Sequence, residues 1–199
     1  RTCDLSSHTC NYRVISLYAY SSGNLWLGTE DNGIDKINTN LNFMSYNRNN
    51  KAGLAFNDDV ILEIYKDRAG IIWLGTANGG INRFDRKNNR VTHYQHDPLD
   101  EGSLSSNTVC SIFEDSQGIL WFGTIDGTLN RLEPASGKFV HYQIQNLENS
   151  DLKDNGILKI QESQDGFLWI CVASGGLTRF NRSTGRYTQS LMILAIPTA

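Results

Sequence analysis

Four mainly apolar stretches of the chain alternate between two faces around a tryptophan: LWLGT from Leu25, IWLGT from Ile72, LWFGT from Leu120 and LWICV from Leu168. In the first, Leu25, Leu27 and Thr29 fall on one side and Trp26 and Gly28 on the other, and the next two copies keep that order. A period of two is a strand. Asp31-Asn32-Gly33, Asn78-Gly79, Asp126-Gly127 and Ser174-Gly175 follow directly. Such residues tolerate the positive φ of tight hairpin turns. A second apolar-alternating stretch comes next (Ile34 to Ile37, Ile81 to Phe84, Leu129 to Leu132, Leu177 to Phe180), then a polar turn, then a short strand ending in Tyr46, Tyr94 or Tyr142. Ahead of each tryptophan lies a further strand: Val14 to Ala19, Ile61 to Lys66, Val109 to Glu114 and Ile157 to Glu162.

Trp26, Trp73, Trp121 and Trp169 are spaced 47, 48 and 48 residues apart, a period that marks an array of like units. Each unit predicts four short antiparallel strands with no helix between units, which is the pattern of a β-propeller blade. The chain is therefore expected to be all-β, with four propeller-type blades at about 13–46, 60–94, 108–142 and 156–189, a segment 1–12 before them and a divergent tail 190–199 after them. The indoles are expected to fill the space between neighbouring blades. The glycine two residues on would leave room for close approach.

Composition changes this picture little. With 39% hydrophobic and 20% charged residues the chain is globular, and a net charge of −3 with interspersed signs gives no general attraction for nucleic acid. The longest apolar run, Leu191 to Ile196, is far short of a membrane helix. The chain opens on Arg1 with no methionine or apolar leader, so it is expected to be a processed or excised piece. Cys110 stands where other units have Ile15, Leu62 and Leu158, which predicts a buried thiol behaving as a small hydrophobe. Cys171 replaces Gly28, Gly75 and Gly123, and Cys3 and Cys10 could close a small disulfide loop. No cysteine or histidine spacing suggests a metal, and no cofactor is expected.

Each unit carries a cation ten residues after its tryptophan: Lys36, Arg83, Arg131 and Arg179. They are the candidate ligand-binding residues, able to hold an acidic sugar or another anion. The structural alternative pairs them with a neighbouring blade through Asp67 or Asp115. The turn residues Asp31, Asn78 and Asp126 are explained by turn geometry as well as by binding. His93 and His141 occupy equivalent positions, which argues for strand decoration, whereas His96-Asp97 is unique to its loop and His8 lies before the repeats.

The pattern D-x-x-G-x-[LI]-W-[LIF]-G-T-x-x-G-G-[IL]-x-R-[FL], fullest from Asp67 to Phe84 and from Asp115 to Leu132, resembles the two-component regulator propeller repeat. LSSNTVCSIFED, from Leu104 to Asp115, resembles the linker and first strand of that family. The resemblance implies a share of a seven-bladed propeller in the periplasmic sensor region of a bacterial hybrid regulator. The implied function is ligand sensing, in many members in response to glycan breakdown products, without catalysis by this chain, which has no kinase.

Its expected partners are a small-molecule or oligosaccharide ligand and further blades or a second chain. Nucleic acid and membrane contact are not expected. Two alternatives stand beside it: a metal-dependent propeller lyase of the streptogramin-inactivating kind, for which His96 would be the base, and a protein-docking scaffold. The fourth unit departs from the pattern at Ser163, Cys171-Val172 and Ser190, and Leu191 to Ala199 is out of phase with a fifth blade. An unclosed array leaves two blade faces open. Each ~400 Å² of bare apolar face forgoes about 10 kcal/mol at roughly 25 cal/mol/Å², so closure, pairing or further blades are expected.

Overall fold

The computed structural model describes residues 13–19, 25–37, 43–50, 54–144 and 155–190. His8, Cys3 and Cys10 and the stretch Leu191 to Ala199 lie outside the described residues. Sixteen strands and no helix make up the described structure. Blade 1 is β1 (Val14–Ala19), β2 (Leu25–Thr29), β3 (Ile34–Ile37) and β4 (Phe43–Tyr46). Blade 2 is β5 (Ile61–Lys66), β6 (Ile72–Thr76), β7 (Ile81–Asp85) and β8 (Arg90–Tyr94). Blade 3 is β9 (Val109–Glu114), β10 (Leu120–Thr124), β11 (Thr128–Glu133) and β12 (Lys138–Gln143). Blade 4 is β13 (Ile157–Glu162), β14 (Leu168–Val172), β15 (Gly176–Asn181) and β16 (Arg186–Ser190). Each blade is one antiparallel sheet with its strands in chain order.

The first strands pack one on the next, β1 on β5, β5 on β9 and β9 on β13, and no comparable packing joins β13 back to β1. Lys159 of β13 reaches past blade 3 to pair with Glu63 of β5 at 2.8 Å. The first strands therefore line the concave, axial side of an open arc.

The core lies between the sheets. Trp26, Ile34 and Tyr46 of blade 1 cluster with Ile61, Ile64 and Phe84 of blade 2. Trp73 and Ile81 cluster with Val109, Ile112 and Phe122 of blade 3, and Trp121 and Leu129 with Ile157, Ile160 and Phe180 of blade 4. Three of the four indoles are thus buried against the following blade as expected, while Trp169 is only half-buried. Gly123 shows why the motif needs glycine: a Cβ there would lie 2.3 Å from Ile157 Cγ2 of the next blade. Gly33 at φ 75° likewise turns the chain where a Cβ would meet the Tyr46 carbonyl.

The threonine after the motif glycine closes the following turn. Thr29 and Thr76 donate their hydroxyls to Gly33 O at 2.9 Å and Gly80 O at 3.0 Å.

The expectation of a buried Cys110 thiol is corrected. Cys110 is half-buried, because each first strand carries a β-bulge at this position, with register breaks spanning Ile15, Leu62, Cys110 and Leu158. The extra residue is turned out of the pleat, and accordingly Ile15 and Leu158 are also exposed. Cys171 is exposed as well.

Candidate functional site

The tryptophan and its acid define one rim of the arc. Asp67, six residues before Trp73, accepts Ile71 N on Oδ1 and Trp73 Nε1 on Oδ2, both at 2.8 Å. Asp115 does the same for Gln117 N (2.9 Å), Ile119 N (3.0 Å) and Trp121 Nε1 (2.9 Å). One carboxylate thus shapes the turn between the first two strands and aims the indole.

The next blade then clasps that turn with a glutamate seven residues before its own tryptophan. Glu114 accepts Arg68 N at 2.9 Å, and Glu162 accepts Ser116 N at 2.6 Å and Ser116 Oγ at 2.7 Å. Between blades 3 and 4 a cation completes the arrangement. Arg182, thirteen residues after Trp169, pairs with Glu162 at 2.6 Å and Asp115 at 3.1 Å, and the three side chains are 14%, 12% and 0% exposed.

The equivalent rim between blades 1 and 2 differs in charge. Lys66 stands at the position of Glu114 and Glu162, Tyr20 at that of Asp67 and Asp115, and Arg86 at that of Arg182. The Arg86 guanidinium lies over the Trp26 ring, 5.1 Å from its centroid. Around it opens a cleft of about 490 Å³ walled by Trp26, Lys66, Arg68, Ile72, Arg86 and Lys87.

The opposite rim holds a cleft of about 600 Å³ between blades 2 and 3, walled by His96, Asp97, Ser105, Asp126, His141 and Gln143. His96 Nδ1 lies 2.8 Å from Leu104 O and His141 Nε2 lies 2.8 Å from Ser103 O, so each of these nitrogens carries a proton. His93 Nε2 faces Ala55 O at 3.1 Å, one repeat earlier than the His141 contact. These two histidines tie equivalent loops to equivalent strands. Among the described residues no group of three or more histidines, cysteines and acids is placed to hold a metal ion.

The four candidate cations do not converge. Each pairs across strands with its own tryptophan, Lys36 with Trp26, Arg83 with Trp73, Arg131 with Trp121 and Arg179 with Trp169. They therefore sit in successive blades. Arg83 lies over Trp73 at 5.7 Å, and Arg131 pairs with Glu133 of its own blade. Arg179 pairs with Asp165 at 2.7 Å and covers Phe167. The Asp165 carboxyl is held below the usual range first by the Ser163 hydroxyl and then by Arg179.

The alternative that paired these cations with a neighbouring blade through Asp67 or Asp115 is corrected: both acids hold their own indoles and turns, and the neighbouring-blade cation that Asp115 does meet is Arg182. Lys36 alone joins the blade 1–2 rim. Its amine is pushed below the ordinary lysine range by burial and by repulsion from Arg86.

Sequence reasoning passed over Lys66, Arg86 and Arg182. It also passed over a column of buried polar residues, Asp35, Asn82, Asn130 and Thr178. Asn82 Oδ1 accepts Asn57 N at 3.1 Å and Asn130 Oδ1 accepts Ser105 N at 3.0 Å, which fastens the loop entering each blade to its third strand. The signal was present in the repeat itself, as a polar residue recurring nine positions after each tryptophan and two before an apolar one.

Residues 55–78 and 103–126 match the family model described as two component regulator propeller. Among solved structures it is similar to an extracellular domain assigned to a hybrid two component system of B. thetaiotaomicron. That domain is 26% identical with a TM-score of 0.75, over 90% of this chain and 24% of that one. A second such domain from the same organism is 25% identical with a TM-score of 0.70, over 89% of this chain and 25% of that one. The chain thus spans about a quarter of the length of these domains. A virginiamycin B lyase from Staphylococcus aureus is 18% identical with a TM-score of 0.67, over 92% of this chain and 56% of that one, a likeness of fold alone. No curated protein matches the chain.

Proposed function

We propose that this chain is part of the extracytoplasmic, periplasmic sensing propeller of a bacterial two-component regulator, binding a small-molecule or oligosaccharide ligand without turning it over. The observation that supports this most is the likeness to extracellular domains of such regulators over nine-tenths of the chain. The repeats account for the framework, and the two rims are where blades differ and where clefts open. In this reading signalling belongs to other parts of the regulator, and the chain contributes recognition.

Further blades of a larger, seven-bladed ring, or a second chain, cover the open faces. Val14 and Leu17 are 52% and 62% exposed, whereas their counterparts Ile61 and Ile64 are 0% and 5% exposed beneath blade 1. A preceding sheet would bury the first pair as blade 1 buries the second. The lyase reading rests on fold alone, and His96 commits Nδ1 to a backbone carbonyl.

A thermal-shift and calorimetry screen of the full chain against glycan fragments, with and without divalent metal, tests the proposal. Saturable binding with no product is expected. Metal-dependent consumption of a ligand, or no binding to any fragment, would overturn it.

A further inference from the structure

We infer that the rim between blades 1 and 2 is an anion site that takes the carboxylate of a small soluble ligand, with Arg86 as its principal contact. This deepens the sensing reading above and rests on it for the ligand being small and soluble.

The inference comes from comparing equivalent places in one molecule. Between blades 3 and 4, Arg182 is neutralised by two carboxylates, Asp115 from the preceding blade and Glu162 from its own. Between blades 1 and 2 the same arginine position is kept as Arg86, and both carboxylate positions are lost, to Tyr20 and Lys66. Left without either acid, Arg86 lies over the Trp26 ring, 5.1 Å from its centroid.

Among the described residues no acid replaces them. Asp85, beside Arg86, directs its carboxylate to Lys87 N at 3.1 Å, Asn88 N at 3.1 Å and Asn88 Nδ2 at 2.8 Å. Among the described residues Arg86 makes no ion pair, and none of the described residues that wall the cleft is acidic.

Instead cations accumulate. Lys66, Arg86 and Lys87 wall one space of about 490 Å³, and Lys36 stands close enough to feel Arg86; Arg68 also lines it but donates its guanidinium to the carbonyls of Asp115 and Ser116. Like charges gathered around one cleft repel one another, and a bound carboxylate relieves that repulsion while supplying the counter-charge that Arg182 finds inside its own fold. The volume exceeds what one carboxylate fills, so the site takes a molecule that carries the group and not a bare ion. Trp26 and Ile72 provide the apolar part of the wall.

The test is calorimetry of the full chain with glucuronate and with citrate, glucose serving as the neutral control, at low salt and again at 150 mM. Saturable binding of the acids but not of glucose is expected, weakening with salt as exposed charges are screened. Arg86 is exposed, so Arg86→Gln leaves the fold intact. That substitution is expected to weaken acid binding about tenfold. Lys66→Glu returns the acid that blades 3 and 4 possess. It is expected to occupy Arg86 internally, abolish acid binding and raise Tm.

Failure of both acids, or binding unchanged in Arg86→Gln, would overturn the assignment. Neutral glycan fragments that bind while both acids fail would leave the sensing reading standing and remove only this one.

Discussion

Replacing Asp115 by Asn tests how the blades are joined, because Asp67→Asn supplies an internal control. Both substitutions preserve shape and keep an oxygen for the turn amides. Both also exchange a charged acceptor for an amide at the tryptophan Nε1, which lies 2.8 Å from Asp67 Oδ2 and 2.9 Å from Asp115 Oδ2. That loss alone is worth about 1.5–3 kcal/mol for a hydrogen bond to a charged group.

Asp115 carries two further duties: it accepts Gln117 N at 2.9 Å, which an Asn oxygen can still do, and it makes the ion pair with Arg182 at 3.1 Å, with its side chain wholly buried and that of Arg182 14% exposed. Breaking one side of a buried pair costs about 3–5 kcal/mol. Glu162 remains at 2.6 Å to hold the other side, so the total belongs near that range and not beyond it. Urea unfolding followed by circular dichroism and by tryptophan fluorescence gives both values, provided the slope against urea is unchanged. Asp115→Asn is expected to cost at least about 1.5 kcal/mol more than Asp67→Asn. Equal costs within about 0.5 kcal/mol would mean that Arg182 contributes no net stability and that the clasp between blades 3 and 4 is incidental.

Gly123→Ala places a Cβ 2.3 Å from Ile157 Cγ2 and 3.0 Å from Ile157 O, which must push blades 3 and 4 apart. A loss of about 1–3 kcal/mol is expected, and an unchanged Tm would show that the blades do not meet as closely as drawn. Asp35 offers a pH test. Burial raises its pKa above 3.8 despite the 2.5 Å hydrogen bond from Ser45 Oγ, so the folded chain binds its proton more readily than the unfolded chain. Stability from this group is present below pH 3.8 and lost as pH rises through the raised value. Asp35→Asn, which installs the residue found at Asn82 and Asn130, is therefore expected to exceed the parent in Tm at pH 7. The gap should close in titrations toward pH 3.8, and a gap that widens on acidification would contradict the sign.

Strand positions were legible because alternation and turn chemistry are local. The first strand of every blade runs where its apolar pattern placed it, from Val14–Ala19 to Ile157–Glu162. The role of Gly123 was legible too, since only close approach explains a glycine inside a strand. What one unit could not disclose was the bulge that turns Cys110 outward, because a bulge is a property of the pairing, and the extra residue it adds is recognisable only against the partner strand. Nor could it disclose the partner of Asp67. Spacing to a tryptophan six residues on says nothing of a hydrogen bond to its Nε1 until the intervening turn is folded. The four cations were legible as a column but not as a site, since a column in sequence becomes one residue in each of four sheets in space.

A repeat protein separates shape from recognition more cleanly than most folds. Whatever is required to stack one sheet on the next must recur wherever sheets stack, as Gly28, Gly75 and Gly123 do. A position that keeps part of a recurring constellation and inverts the rest is harder to attribute to stacking. The glutamate seven residues before the tryptophan holds the preceding turn at two successive interfaces, through Glu114 and Glu162. At the remaining described interface it is Lys66, which cannot accept that amide, next to an arginine whose counterpart is paired twice. Substituting a cation for an acid there adds repulsion from Arg86, which is unfavourable to folding. A position where folding alone would favour an acid, beside a cleft, is where the anion site inferred above places its ligand's carboxylate.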